Sequence, residues 1–78
     1  MSDDRLGQRP IYEIRVMGRL DEKWADWFGG MDIATGSSQG SPITVLTGPV
    51  VDQAALRGLL AKIWDLNLTV TSVLLVGE

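Results

Sequence analysis

Four carboxylate side chains stand close together in the chain, and acidic groups that converge on one point are what a magnesium site or an acid–base pair requires. They are Asp21, Glu22, Asp26 and Asp32. Helix formation accounts for them better, because Asp21 is placed to cap a helix and Glu22 then lies at its positive end. We therefore predict neither a metal site nor a catalytic carboxylate in this segment.

The chain also has few of the residues that nucleophilic catalysis or phosphate binding requires. The loop at residues 36–41 has the glycine and serine content of a phosphate-binding loop, but it lacks the lysine of that motif and leads into a strand, not a helix. The chain contains no histidine and no cysteine, so its serines have no imidazole base, and thiol chemistry is excluded by count. We predict that the protein is not an enzyme and binds no cofactor.

Trp24, Trp27 and Phe28 form an aromatic cluster that would suit stacking on a planar ligand or a nucleic-acid base. Seven Lys and Arg against ten Asp and Glu leave a net charge of −3, and the scattered basic residues offer no stripe to a phosphate backbone. We predict that the three aromatic side chains fill the core and that nucleic acid is not a partner.

The elements that position these residues begin with a strand. Residues 1–10 carry charge and glycine without periodicity and are predicted to be a flexible leader, which leaves residues 11–78 as a single domain. Residues 11–18 alternate, with Ile14 and Val16 on one face, and this period of two is typical of a half-buried strand.

The remaining elements are marked by caps and turns. They are a helix at 22–28, strands at 31–35 and 42–47, a helix at 53–66 and a strand at 69–76. Asp21 and Asp52 are suitable N-caps, while Gly29 and Asn67 tolerate the left-handed conformation that ends a helix. The order βαββαβ predicts an α+β domain of the ferredoxin-like type, a four-stranded antiparallel sheet with two helices on one face.

The uncovered face of such a sheet should be polar in a monomer. The third and last strands break this rule, because each has apolar side chains on both faces. Trp64 also lies beside the apolar stripe of the second helix, a position typical of an interface anchor. The predicted interface residues are Ile43, Val45, Trp64, Leu74 and Leu75. The alternative is that they are ordinary strand and core-edge residues with some apolar exposure.

The run LTGPVVDQAALRGLL at residues 46–60 resembles a segment shared by a group of short uncharacterised bacterial proteins. The resemblance implies a compact domain without an established activity, in which Gly48, Asp52 and Gln53 recur. Leu74 and Leu75 depart from it, since the resemblance implies more polar or basic residues there. An interface at the last strand would then be particular to this protein.

These features favour a non-catalytic homo-oligomeric assembly module, including one that extends into a ring or a filament, whose partner is a second copy or a different protein. The alternative is a small-molecule-sensing regulatory domain, because ACT-type domains share the βαββαβ order and bind effectors between domains. A small enzyme is the third possibility and requires Asp26 or Asp32 to converge with Arg15 or Lys23.

The chain carries no recognisable targeting or membrane segment. Its N-terminus is acidic where a signal peptide would be basic, and the longest apolar run, Val73–Val76, is far too short to span a bilayer. We predict a soluble, cytoplasmic protein with no membrane partner.

Overall fold

The computed structural model describes residues 10–77, which form a four-stranded antiparallel sheet and an α-helix. The strands are β1 (Ile11–Met17), β2 (Asp32–Ser38), β3 (Ser41–Pro49) and β4 (Thr69–Gly77), and the helix is α1 (Gln53–Asp65). The predicted α+β class with a four-stranded antiparallel sheet is therefore confirmed. The predicted flexible leader, residues 1–10, lies outside the described residues except for Pro10.

The strands lie in the order β2-β3-β1-β4, so β1 and β3 are central. The alternation predicted for β1 is confirmed, because Ile14 and Val16 are fully buried on the face that α1 covers. We call this the helix face, and we call the other side, where Glu13 and Arg15 stand, the open face. Pro10 is tied to the sheet, since its carbonyl accepts a hydrogen bond of 2.8 Å from the amide of Val50.

The prediction of a first helix at residues 22–28 is wrong. In its place the chain forms a single 3-10 turn, Glu22–Ala25, and the carboxylate of Asp21 accepts from the amide of Lys23 at 3.1 Å. Few residues separate this cap from Gly29 and Gly30, which both have positive φ, and so short a segment cannot offset the cost of helix nucleation. With one α-helix among residues 10–77, the predicted ferredoxin-like arrangement of two helices is not matched.

The hairpin between β2 and β3 is confirmed, but its loop is tighter than predicted. Gln39 and Gly40 are the two turn residues, with φ of 54° and 83°. Positive φ at both central positions is the type I′ geometry that matches the twist of paired strands. The strands consequently extend through Ser38 and from Ser41, where a six-residue loop at 36–41 was expected.

The second predicted helix is confirmed as α1. The carboxylate of Asp52 accepts from the amide of Ala55 at 2.8 Å, and Asn67 has a φ of 62° just beyond the helix end. The buried residues of α1 are Leu56, Leu59 and Ile63. This stripe packs on the helix face of the sheet, and with the 3-10 segment it encloses the core.

The connection from β1 to the 3-10 turn is tied to β3 by one buried hydroxyl. Thr44 is fully buried, and its Oγ1 accepts from the amide of Leu20 at 2.9 Å and donates to the carbonyl of Gly18 at 2.8 Å. Both backbone groups belong to a loop, so neither has a ladder partner to replace Thr44. The hydroxyl therefore fixes how the chain leaves the sheet.

Candidate functional site

The strongest surface feature is the outer edge of β4. Among the described residues β4 pairs with β1 alone, so one row of its backbone N–H and C=O groups has no strand partner. All nine residues of β4 are uncharged, and Leu74, Leu75 and Val76 are 48%, 54% and 52% exposed. Edge strands are usually protected by charge, proline or a covering loop. We call the unpaired side of Thr69–Gly77 the free edge.

Apolar side chains project from both faces of this strand. Leu74 lies opposite Glu13 and therefore stands on the open face. Val73, opposite Ile14, and Leu75, opposite Tyr12, stand on the helix face. Strand pairing at the free edge would thus bury apolar surface on both faces.

One flank of α1 lies on the side of the helix away from Phe28 and Met31. We call the residues that line a groove of about 250 Å³ along it the α1 flank: Gln53, Leu56, Arg57, Leu60 and Trp64. Nε2 of Gln53 donates to Oη of Tyr12 at 3.0 Å, and Tyr12 is the β1 neighbour of Leu75. Trp64 is 56% exposed, as the sequence predicted for an anchor beside the core stripe. Leu56, Leu60 and Trp64 give the flank its apolar surface.

Gln53 is a residue whose role the sequence did not show. Its hydrogen-bond partner is the Tyr12 hydroxyl, on a strand far away in the chain. The bond holds the start of α1 over β1, at the side of the sheet where β4 lies. The only local signal was a polar side chain at the first helical position.

Ile43 and Val45 do not lie with the other predicted interface residues. Both are half-buried on the open face of β3, opposite Met17 and Arg15. Because β1 separates β3 from β4, the ion pair between Arg15 Nε and Glu13 Oε1, 3.2 Å apart, lies between them and Leu74. The structure brings Leu74, Leu75 and Trp64 to the β4 side and leaves Ile43 and Val45 apart.

The aromatic cluster divides between core and surface. Phe28 is buried and Trp24 is partly buried, but Trp27 is 46% exposed, so its predicted core role is wrong. The Lys62 ammonium donates to the Trp27 carbonyl at 2.9 Å and stands 5.3 Å from its ring centroid. This contact ties the chain just after the 3-10 turn to α1.

The carboxylates considered for chemistry are not arranged around a reactive centre. Asp26 and Asp32 line a shallow depression with Glu22, while Arg15 is paired with Glu13 elsewhere. Within residues 10–77 no three acidic side chains are placed to hold a metal ion. No helix in the same part of the chain is long and apolar enough to cross a membrane.

These features define the class of protein: a small α+β domain with one covered sheet face and an apolar strand at one edge of the sheet. The chain belongs to the family of a domain of unknown function, DUF8691, whose model matches residues 11–74. Neither the curated proteins nor the solved structures provide a significant match. The resemblance of residues 46–60 to a group of short bacterial proteins stays a prediction.

Proposed function

We propose that this domain is a non-catalytic homo-oligomeric assembly module, whose contact surface is the free edge of β4 together with the α1 flank. The observation that carries the proposal is that β4 combines nine uncharged residues, an unpaired backbone row and exposed apolar side chains on both faces. Edge strands of this kind are templates for pairing with another chain.

The energetics of a small domain favour such a contact. A chain of 78 residues buries a limited fraction of its surface, and it has no cysteine with which to form a disulfide. Association through β4 would satisfy the free backbone groups and remove Leu74, Leu75 and Val76 from water, at about 25 cal/mol per Å² of apolar surface. The α1 flank would extend the contact beyond a single strand.

Leu74→Lys is expected to weaken self-association by roughly 30-fold or more while the domain stays folded. The substitution places a charge in a contact that excludes water, which costs about 2 kcal/mol or more, or roughly 30-fold in Kd. Sedimentation velocity over a hundredfold range of concentration, followed by tryptophan absorbance, measures the effect. Circular dichroism of the same samples reports whether the fold is retained.

Two further variants locate the contact. Val51→Lys makes the same change at a residue that is 61% exposed and lies before α1, outside β4, so it should leave association unchanged. Val45→Lys tests the open face and should also have little effect on association. Dissociation by Val45→Lys but not by Leu74→Lys would move the contact to the open face, and a wild-type monomer at every concentration would refute the module.

A second candidate, a regulatory domain that senses a small molecule, has one observation in its favour. A depression of about 300 Å³ lies between α1 and the chain that follows the 3-10 turn, with Phe28, Met31 and Leu59 among its lining residues and Lys62 as its cation. Gly58 lines it from within α1, and an added Cβ there would meet no described atom within 4 Å. This arrangement fits a small amphipathic anion, and thermal stabilisation by such compounds would favour sensing over assembly.

Gly58→Ala is expected to raise the free energy of unfolding by about 0.5 to 1 kcal/mol, because alanine restricts the unfolded chain and favours helix. The space beside Gly58 accepts the methyl group without a clash. Urea unfolding of both proteins measures the difference. A loss of stability would contradict the open geometry of the depression.

A further inference from the structure

We infer that two copies of β4 pair antiparallel about a two-fold axis that lies midway between the two copies of Leu74. We call this an axis at Leu74. The pairing closes the assembly as a dimer with an eight-stranded sheet. This inference rests on the proposed assembly function and adds its symmetry and register. The occupant of the free edge is a second copy of this chain, because the pattern of β4 is complementary to itself.

The alternation of side chains along β4 restricts where the two-fold axis can lie. Directly opposite residues of an antiparallel pair project to the same face of a sheet. When a strand pairs with its own copy about an axis normal to the sheet, a helix-face residue must therefore meet another helix-face residue. That condition holds only if some residue of β4 lies directly opposite its own copy, with the axis midway between the two. Both α1 helices then lie on the same side of the joined sheet.

The regular part of β4 indicates which residue lies at the axis. The register of β4 with β1 is regular from Ser72 to Leu75, and it is interrupted on both sides of this segment. An axis at Leu74 sets Leu74 opposite its own copy on the open face and Val73 opposite Leu75 on the helix face. An axis at Val73 would instead set Leu74 opposite Ser72. An axis at Leu75 would set Leu74 opposite Val76, which lies where the register with β1 is interrupted. Only the axis at Leu74 pairs Val73, Leu74 and Leu75 with one another inside the regular segment.

The residues of β2 disfavour an open chain of subunits. β2 forms the other edge of the sheet, and a head-to-tail contact between β4 and the next copy's β2 would also be antiparallel and would build a filament. The exposed residues of β2 include Asp32, Gly36 and Ser37. They offer the leucines of β4 little apolar surface. A second copy of β4 instead offers them leucine and valine side chains.

The absence of cysteine from the chain permits a direct test by disulfide trapping. In the inferred register the two copies of residue 74 have Cα atoms about 4.5 to 5.5 Å apart, which lies within the range of a disulfide. Mild oxidation of Leu74→Cys should therefore convert most of the protein to a covalent dimer. Val73→Cys is the matched control, because its two copies would be offset by two residues and about 8 Å apart, too far to be bridged.

The double variant Val73→Cys, Leu75→Cys should also cross-link, since these residues oppose each other across the axis. A dimer from Val73→Cys alone would overturn the register. Species larger than a dimer in sedimentation would overturn the closed dimer but would leave the proposed assembly function standing. The same conclusion would follow if the protein associates but no single cysteine in β4 traps the oligomer. Monomers in both experiments would refute the inference and the proposed function together.

Discussion

Thr44→Val is expected to lower the free energy of unfolding by about 2 to 4 kcal/mol, although the two side chains have almost the same shape. The substitution removes a fully buried hydroxyl that accepts from the Leu20 amide and donates to the Gly18 carbonyl. Both backbone groups would lose their partner in a place that water does not reach. Valine has the higher strand propensity, so any loss of stability reports the two hydrogen bonds and not the strand.

Thr44→Ser is the matched control for this experiment. It keeps the hydroxyl and removes one methyl group, so it should cost only about 1 kcal/mol. Urea unfolding monitored by tryptophan fluorescence gives both values, and amide hydrogen exchange at Leu20 should accelerate in the valine variant alone. Equal stability of Thr44→Val and the wild type would show that the loop satisfies these backbone groups in another way.

Ile63→Ala is expected to cost about 2 to 5 kcal/mol, the range for a buried aliphatic truncation that leaves a cavity. Ile63 is fully buried and is the last residue of the stripe that α1 packs on the sheet. A single core of this size supplies only about 3 to 5 kcal/mol, so the variant should be largely unfolded at room temperature. Leu59→Ala, from the same stripe, should fall in the same range.

Asp65→Ala is the control, because it truncates an exposed side chain of the same helix outside the α1 flank and should change stability by less than about 0.5 kcal/mol. Near-ultraviolet circular dichroism and urea titration at one fixed protein concentration compare the variants, since self-association would add a concentration-dependent term. A fully folded Ile63→Ala protein would mean that α1 contributes little to the core.

Local patterns predicted a large part of this fold. The alternation around Ile14 and Val16, the cap at Asp52 and the left-handed Asn67 are all confirmed. Each depends on neighbours within about four residues, the range over which period and capping act. The 3-10 turn escaped prediction because helical spacing of aromatic residues does not reveal whether a segment is long enough to nucleate a helix.

The candidate site was predicted in part. Leu74, Leu75 and Trp64 were identified because each lies where a polar residue would be expected in a monomer, on both faces of a strand or beside the apolar stripe of a helix. Their grouping with Ile43 and Val45 required that β3 and β4 contribute to one surface. The sheet places β1 between these strands, and its Glu13–Arg15 ion pair separates the two groups.

The sequence by itself determined where the four strands and α1 lie and which side chains they offer to a core, because periodicity and end caps depend on short stretches of chain. Only the tertiary structure decided that β4 is an edge strand and that Gln53 reaches Tyr12. Strand order depends on hydrogen bonds between residues far apart in the chain, and no local period records which backbone row is left unpaired.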